Sequence, residues 1–365
     1  MAPIILPRIS EDKPLVSVIS KTYNHELYIK DCLEGFLMQK TTFPVEYIIH
    51  DDASTDHTAD IIREYFDKRP DLFHVIIQRE NQYSQNRPTT PQLYEMAQGK
   101  YIALCEGDDY WTDPLKLQKQ FDFMEEHPDY SLCSHNAFIL NEKNKSKSVF
   151  YKCNPQNTLT IKDVIEGKNE VLRTESLFFR SNMVYDYMKY KEKCPVGDQA
   201  LIICLAQKGL IYYSQEIMST YRLFAKGSWT SDQNVQMLKK HNHKIKMIDW
   251  LNKIRPYINI DEAIDYRISH VYLALFFEEK NYIGLKNNAY CKKLYDRLSI
   301  QGKMYYLATL VSLIILCRLK SKLLFRIIDI LFYRKILLCD GDVKYLNGTA
   351  VVSKKRFHLK TIGYN

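Results

Sequence analysis

Over its first 140 residues the chain alternates short apolar runs with longer amphipathic stretches. This alternation is typical of βαβ units around a mostly parallel sheet, so the expected fold class is α/β. The apolar runs predict four strands, at Leu15–Ser20, Val45–Asp51, Phe73–Gln78 and Lys100–Cys105. The stretches between them have helical periodicity and predict helices at Glu26–Gln39, His57–Lys68 and Pro91–Ala97.

The pattern continues with less regularity to about residue 230. It predicts a helix at 113–127, strands at 130–140 and 171–180, and a helical segment between Pro155 and Gly167 with Thr160 as a cap. A helix over Ala200–Gln207 precedes two strands, Leu210–Tyr213 and Ile217–Leu223. From Ser231 onward the chain reads as helical. We therefore expect a catalytic-type domain over residues 1–230 and a helical region over 231–365 that associates with a membrane or oligomerises.

The helical region contains an apolar segment, Met304–Cys317, that is too short to cross a bilayer. Its 14 residues would extend about 21 Å as a helix, against roughly 30 Å of hydrocarbon. Between Gly302 and Leu338 there are seven basic residues and one acidic residue, Asp329, a net charge of 7 − 1 = +6. This composition fits an interfacial helix pair on an anionic leaflet, or a buried helical hairpin rimmed by lysines.

Charge and cysteine usage limit the class of protein. The net charge of +8 suits an anionic lipid, an anionic substrate or nucleic acid. The nine cysteines form no C-x-x-C pair, so we expect neither a disulfide framework nor a structural zinc site, and a reducing compartment. The amino terminus lacks the charged region of a secretory signal. We expect a cytoplasmic protein, with a peripheral position on the inner face of the membrane as an option.

Polar and acidic residues follow three of the predicted strands, where the ligand crevice of an open α/β sheet lies. They are Thr22-Tyr23-Asn24 after the first strand, Asp51-Asp52 after the second, and Glu106-Gly107-Asp108-Asp109-Tyr110-Trp111 after the fourth. Clustered carboxylates repel one another unless a cation joins them, and oxygen ligands suit Mg²⁺ or Mn²⁺. The alternative is a solvated acidic turn in which Asp108 or Asp109 caps the next helix.

The second acidic loop also has two interpretations. Asp51 or Asp52 can accept hydrogen bonds from a base or ribose, as acidic residues do in dinucleotide folds. Ser54, Thr55 or Asp56 can instead cap the helix that begins near His57. We assign the ligand role to Asp51 and Asp52, and the cap to residues 54–56.

These motifs, in this order and spacing, resemble the family 2 glycosyltransferases of the GT-A fold. The matching segments are VSVISKTYN at 16–24, DDASTD at 51–56 and EGDDYWTDPLKL at 106–117. The resemblance implies that Thr22, Tyr23, Asn24, Asp51, Asp52 and Asp108 bind the donor nucleotide. It implies a D-x-D metal site for Mn²⁺ or Mg²⁺ at Asp108 and Asp109, with Glu106 at the first position of the motif and Trp111 in the same loop.

The resemblance extends into the second half of the domain. Residues 173–180 resemble the acceptor side of the cleft and include Glu175. Gly197-Asp198-Gln199 resembles the motif whose acid deprotonates the acceptor hydroxyl, although Asp198 could equally be a plain helix N-cap. Tyr221-Arg222 and Gly227-Ser228-Trp229 resemble a closing segment, in which Arg222 or Lys226 offsets leaving-group charge and Trp229 stacks on a sugar. Edge-strand packing of Tyr221 and Trp229 is the alternative.

The resemblance implies an inverting, metal-dependent transfer of a sugar from a nucleotide-sugar donor, a UDP-sugar by preference. The acceptor would be a hydroxyl of a glycan or lipid-linked molecule in surface-polysaccharide synthesis. Two alternatives stay open: a catalytically degenerate nucleotide- or glycan-binding module, and a sugar nucleotidyltransferase. The latter is expected to carry a glycine-rich phosphate loop, which Lys21-Thr22-Tyr23-Asn24 does not provide. Nucleic acid is not an expected partner, and His25 and the other histidines have no predicted role.

Overall fold

The computed structural model describes residues 2–151, 157–167, 172–226 and 236–278, together with Ala289 and Asp296. Most of these residues belong to one compact unit, formed by residues 1–150 and 155–271. A second unit comprises residues 151–154 and 272–365, and nearly all of it lies outside the described residues. The architecture given below is that of the first unit, and the predicted boundary near residue 230 stays a prediction.

Four parallel strands form one half of the sheet, in the order β4-β3-β2-β5. They are β2 (Val16–Thr22), β3 (Val45–Asp51), β4 (Phe73–Ile77) and β5 (Tyr101–Leu104). The helices between them are α1 (Ile29–Leu37), α2 (Thr58–Lys68) and α3 (Thr90–Met96). The four predicted strands and three predicted helices are thus confirmed, with small differences at their ends.

The other half of the sheet mixes strand directions. Its strands are β6 (Tyr110–Trp111), β7 (Tyr130–Asn141), β10 (Phe178–Arg180) and β11 (Leu210–Leu223). From β5 the order continues β10-β7-β11-β6, with β10 antiparallel to both neighbours and β11 parallel to β7. Three short strands complete the sheet in the described residues: β1 (Ile4–Leu6) beside β4, β8 (Lys147–Val149) beside β7, and β9 (Thr158–Leu159) beside β11.

Six more helices occur in the described residues. They are α4 (Lys116–Glu126), α5 (Ile161–Glu166), α6 (Tyr187–Lys191), α7 (Gly197–Ala206), α8 (Gln236–Ile258) and α9 (Asp261–Glu278). The predicted Thr160 cap of α5 is confirmed as a capping box, in which the Thr160 side chain accepts from the Asp163 N–H and the Asp163 carboxylate accepts from the Thr160 N–H. The helix ends at Gly167 with a φ of 98°, a left-handed conformation that favours glycine.

Two strand predictions are wrong. Residues 171–180 were expected to be one strand, but only Phe178–Arg180 is extended, because Thr174–Ser176 form a 3₁₀ turn whose Glu175 carbonyl accepts a hydrogen bond from the Trp111 indole at 2.8 Å. The strands predicted at Leu210–Tyr213 and Ile217–Leu223 are one strand, β11, which stays paired to β7 across a register shift between Ser214 and Ile217.

Helices cover both faces of the central strands, so these strands are buried along nearly their whole length. Aromatic rings fill the α1 side of the sheet. Phe36 stacks on Tyr47 with ring centroids 5.2 Å apart, and Trp111 meets Phe36 edge-on at 4.8 Å. This packing fixes the carboxyl ends of β2, β3 and β5 at a single edge, where the polar loops begin.

Among the described helices, none combines the length and the apolar character needed to cross a bilayer. The basic, apolar segment between Gly302 and Leu338, predicted to lie on an anionic membrane or to form a hairpin, falls outside the described residues.

Candidate functional site

The loop after β2 and the loop after β3 are bound to each other. The Asn24 N–H donates to the Ser54 hydroxyl at 2.9 Å, and the Asn24 side-chain oxygen accepts from the Thr55 N–H at 2.8 Å. Asn24 has a φ of 56°, in the left-handed region that asparagine tolerates. Of the three residues predicted to bind nucleotide in this loop, Thr22 is buried, Asn24 serves the neighbouring loop, and the Tyr23 ring is 39% exposed.

The two aspartates after β3 have different surroundings. The Asp51 carboxylate is buried and accepts from the N–H and the hydroxyl of Ser54. The two carboxylate oxygens of Asp52 accept from the backbone N–H groups of Gln82 and Tyr83, at 2.7 and 3.0 Å. Asp52 therefore holds the loop that follows β4, a role that the sequence pattern did not indicate. The cap predicted among residues 54–56 is not at the N-cap, which is His57 and makes no side-chain cap, but Asp56 just before it accepts from the Thr58 N–H at 3.0 Å.

The third loop packs tightly over the first. A β-carbon at Gly107 would lie 2.8 Å from the Thr22 β-carbon, 2.7 Å from its hydroxyl and 3.1 Å from His25 Nδ1. Among the described residues, neither the Thr22 hydroxyl nor His25 Nδ1 has a hydrogen-bond partner, and both side chains are buried. Thr22 and His25 thus form the floor on which Gly107 rests, and His25 joins the site although no role was predicted for it.

This close contact gives a first testable expectation. Gly107→Ala should destabilise the protein by about 1–3 kcal/mol, because the added methyl overlaps the Thr22 β-carbon, which cannot move without its strand. The matched control is Gly197→Ala, where the nearest atoms to an added methyl are the Lys191 side-chain end, at 3.5 Å, and the Tyr187 hydroxyl, at 4.0 Å. Thermal unfolding should show a lower Tm for Gly107→Ala only. Equal Tm values for the two variants would contradict the tight packing.

The acidic loop concentrates negative charge. Burial, followed by the charges of Asp108 and Asp198, raises the pKa of Glu106 against the opposing effect of Lys21. Burial also raises the pKa of Asp108 and of Asp109, and for Asp109 the charges of Glu175 and Asp108 add to the effect. These carboxylates repel one another, which is the arrangement that a cation would relieve.

Arg222 has a different place from the one predicted. The sequence suggested a residue of a closing segment that meets the donor diphosphate, but the Arg222 guanidinium is buried. It donates to the Asp108 carbonyl at 2.8 Å and to the Glu142 carboxylate at 3.1 Å, and it pairs with Asp31. The Arg222 backbone N–H donates to the Asp109 carboxylate at 2.7 Å. Arg222 therefore supports the acidic loop, because each of its three guanidinium nitrogens donates to a protein group and one of these is the Asp108 carbonyl.

Asp31 and Glu142, which hold the guanidinium, were not predicted. They lie 191 and 80 residues from Arg222 in sequence, and no local motif marks either one. The predicted closing segment is described only as far as Lys226, which is exposed and whose backbone N–H donates to the Tyr28 hydroxyl at 3.0 Å. Gly227, Ser228 and Trp229 lie outside the described residues.

Trp111 and Glu175 are buried and in contact, through the Trp111 indole and the Glu175 carbonyl. Trp111 is 1% exposed, and the buried Lys116 ammonium sits 4.0 Å from its ring centroid. Burial lowers the pKa of Lys116 to about 7. Glu175 is buried with one carboxylate oxygen unpartnered among the described residues, and burial raises its pKa. Trp111 was predicted in the acidic loop and Glu175 on the acceptor side of the cleft. Both side chains are buried in this conformation, so neither is exposed to an acceptor.

Asp198 is in the first turn of α7, and its carboxylate accepts from the Gln199 N–H at 2.7 Å. The residue before the helix, Val196, makes no side-chain cap. Asp198 is half-buried, and its charge contributes to the raised pKa of Glu106. Asp198 thus acts electrostatically on the acidic loop, and its role as a base stays a prediction.

The predicted metal site depends on which carboxylates are free to act as ligands. Within the described ranges, no three His, Cys, Asp or Glu side chains are grouped as a ready-made metal site. Asp109 is 1% exposed and bound to the Arg222 N–H, which leaves Asp108 as the better-placed ligand of the predicted pair. One or two protein carboxylates, completed by water and substrate phosphate, are the usual Mg²⁺ arrangement, so the residues fit a substrate-completed site.

Residues 17–191 match the family model described as glycosyl transferase family 2. An uncharacterized protein of Mycobacterium tuberculosis is 38% identical over 216 residues, 59% of this chain and 61% of that protein. The putative teichuronic acid biosynthesis glycosyltransferase TuaG of Bacillus subtilis is 42% identical over 114 residues, 31% of this chain and 43% of TuaG.

A third relative is the Escherichia coli protein named UDP-Glc:alpha-D-GlcNAc-diphosphoundecaprenol beta-1,3-glucosyltransferase WfaP. It is 38% identical over 112 residues, 30% of this chain and 41% of WfaP. The chain thus spans between 41% and 61% of the length of these three curated relatives.

A solved structure extends the likeness over most of the chain. Residues 1–349 of TarS from S. aureus, in complex with UDP-GlcNAc, give a TM-score of 0.53 at 19% identity, covering 93% of this chain and 97% of that one. Identity at this level shows the fold alone. It confirms the expected GT-A-type architecture.

Proposed function

Because residues 17–191 match the glycosyl transferase family 2 model, we propose that this chain transfers a sugar from a nucleotide-sugar donor to a hydroxyl of a glycan or lipid-linked acceptor. The donor is a UDP-sugar, and the reaction inverts the anomeric centre. Two relatives support the process and the substrates: TuaG is named for teichuronic acid biosynthesis, and WfaP for a UDP-Glc donor and a diphosphoundecaprenol-linked acceptor. By this proposal the chain acts in surface-polysaccharide synthesis.

The observation that carries the proposal is the packing of the loops after β2, β3 and β5 at one edge of the sheet, where Gly107 lies against Thr22 and the Asn24 N–H donates to Ser54. The charge of Asp198 acts on Glu106, which stands in the loop supported by Arg222. A transferase needs a base for the acceptor on one side and a site for the donor diphosphate on the other.

In this proposal the loops after β2 and β3 bind the nucleoside. Tyr23 is the exposed ring available to the base, while Thr22 and Asn24 shape the loop. Asp51 offers buried carboxylate oxygens to the base or ribose, and Asp52 fixes the loop after β4 at the edge of the same pocket. Lys226, and Trp229 beyond the described residues, are the proposed contacts of the sugar and leaving group.

The proposed step is a single displacement. Asp198 takes the proton from the acceptor hydroxyl, and the oxygen forms a bond to the anomeric carbon. The bond from that carbon to the diphosphate oxygen breaks on the opposite face, and its electron pair leaves with the nucleoside diphosphate. Mn²⁺ or Mg²⁺, held by Asp108 together with phosphate oxygens, would supply charge neutralisation for the leaving group.

The test is release of nucleoside diphosphate from a panel of nucleotide-sugars, with Mn²⁺ or with EDTA. We expect wild-type protein to release UDP from one donor only when the metal is present. Asp108→Asn should weaken metal binding, raising the half-saturating Mn²⁺ concentration by about 10–100-fold. The control is Asp122→Asn, on the exposed face of α4, which should keep the wild-type metal response.

Other outcomes identify the alternatives. Formation of pyrophosphate would indicate a nucleotidyltransferase. Thermal stabilisation by UDP without release from any donor, with acceptor glycans present, would indicate a binding module. Full activity in EDTA would contradict the metal site.

A further inference from the structure

The chain forms a turn where β11 ends. Leu223 is the last residue of the strand, and Phe224 follows it with a φ of 65°. A left-handed conformation is uncommon for a bulky residue and raises the free energy of the folded chain, so contacts of the turn must hold it. The Lys143 ammonium lies 4.4 Å from the Phe224 ring centroid. The next residue, Ala225, is buried, and the Lys226 side chain is exposed.

A tyrosine from the first part of the chain contacts this turn. The Tyr28 hydroxyl accepts a hydrogen bond from the Lys226 backbone N–H at 3.0 Å, across 198 residues of sequence. Tyr28 is buried and directly precedes α1, and its own N–H donates to the His25 carbonyl at 2.8 Å. The hydroxyl therefore joins the loop after β2 to the residues that follow β11.

The Tyr28 ring also lies close to the acidic loop. The Arg222 guanidinium carbon is 5.1 Å from the Tyr28 ring centroid and 4.4 Å from that of Tyr110, which belongs to the loop. The same guanidinium donates to the Asp108 carbonyl at 2.8 Å. Direct contacts thus keep Tyr28 and the Lys226 backbone at the same edge of the sheet as Asp108.

Lys226 carries a cation that no described carboxylate engages. Asp31 and Glu142, the acidic side chains around the turn, are both paired with Arg222, and Glu142 is paired with Lys145 as well. Among the described residues, the exposed Lys226 side chain forms neither an ion pair nor a hydrogen bond. An ammonium acts as a point charge for phosphate oxygens, so this cation suits the diphosphate of a nucleotide-sugar.

We propose that Tyr28 is a positioning residue for the donor, whose hydroxyl holds the Lys226 backbone so that the ammonium meets the donor diphosphate. This inference rests on the proposed function, which assigns Lys226 to the leaving group. Tyr28 does not itself touch the donor, because it is buried, its hydroxyl accepts from Lys226 and its ring lies beside Arg222. Its effect on donor binding therefore acts through the Lys226 ammonium.

The experiment is a double-mutant cycle on the whole chain, with UDP binding in the presence of Mn²⁺ measured by calorimetry. Tyr28→Phe removes only the hydroxyl and should raise the Kd for UDP by about three- to tenfold, the loss expected for one hydrogen bond. Lys226→Gln should raise this Kd at least as much. The double variant Y28F/K226Q should bind UDP as Lys226→Gln does, because no ammonium is left for Tyr28 to position.

The matched control is Tyr130→Phe. It also removes a phenol hydroxyl, one that lies 2.8 Å from the Thr158 hydroxyl. Tyr130 is at the opposite end of the sheet from the acidic loop, since it pairs with Leu210, whereas Arg222 pairs with Leu140. UDP binding by this variant should equal that of wild-type protein.

The outcomes separate this inference from the proposed function. If Tyr28→Phe bound UDP like wild-type protein, or weakened binding by the same factor with and without the Lys226 ammonium, the positioning role would be overturned while the transferase function stands. If wild-type protein bound UDP but released none from any donor, the transferase function would fail, and the cycle would still decide the role of Tyr28 from binding alone.

Discussion

Asp198→Asn is expected to reduce sugar transfer by roughly 10²- to 10⁴-fold, the usual contribution of a general base. The amide is isosteric with the carboxylate, so it should keep the hydrogen bond from the Gln199 N–H and the start of α7. The loss should fall on kcat with acceptor present, while UDP binding, measured by calorimetry, stays at the wild-type level.

The control for this variant is Asp249→Asn, an exposed carboxylate on α8. It should transfer at the wild-type rate. If Asp198→Asn retained full kcat, Asp198 would be only a residue of the first helical turn, and the base would have to be sought elsewhere.

Arg222→Met is expected to lower the free energy of unfolding by about 3–5 kcal/mol, because it removes one partner of a buried ion pair. The Arg222 and Glu142 side chains are 5% and 8% exposed, so Glu142 would lose its buried partner and keep only the ion pair with the exposed Lys145. The Asp108 carbonyl would lose its donor as well. Urea unfolding measures the loss of stability. A higher half-saturating Mn²⁺ concentration would show the effect of the lost contact at the Asp108 carbonyl.

Arg63→Met is the matched control. Arg63 pairs with Asp60 on the exposed face of α2, where an ion pair contributes about 0–1 kcal/mol. If the two variants unfolded at the same urea concentration, the contacts of Arg222 would not be supporting the acidic loop. Arg222→Lys should fall between wild type and Arg222→Met, since an ammonium keeps the charge but lacks the planar guanidinium whose three nitrogens reach Glu142, Asp108 and Asp31.

The parallel half of the sheet could be predicted because its signal is local. Each of β2, β3, β4 and β5 is a short apolar run, and burial on both faces demands that composition. The order of the polar loops follows from the sheet, since the carboxyl ends of parallel strands share one edge. The match to a family pattern then indicated which loop meets which part of a nucleotide-sugar.

The roles of Asp52 and Arg222 could not be predicted from sequence. Both are polar residues after or within a strand, and nothing local distinguishes a carboxylate that binds a ligand from one that accepts two backbone N–H groups. The partners are decided by chain segments far away, such as Gln82 for Asp52 and Asp31 for Arg222. The 3₁₀ turn at Thr174–Ser176 was missed for the same reason, because its packing partner is Trp111.

The pairing of β6 with β11 also sets the order in which a newly made chain can become active. Trp111 and Tyr110 pair with Ser219 and Thr220, and the Asp109 carboxylate meets an N–H 113 residues further along. On the ribosome the amino-terminal strands emerge and fold first. The acidic loop then waits for β11, and Asp198 emerges before that strand. A nascent chain therefore completes the contacts of the acidic loop only after residues 210–223 have been synthesised.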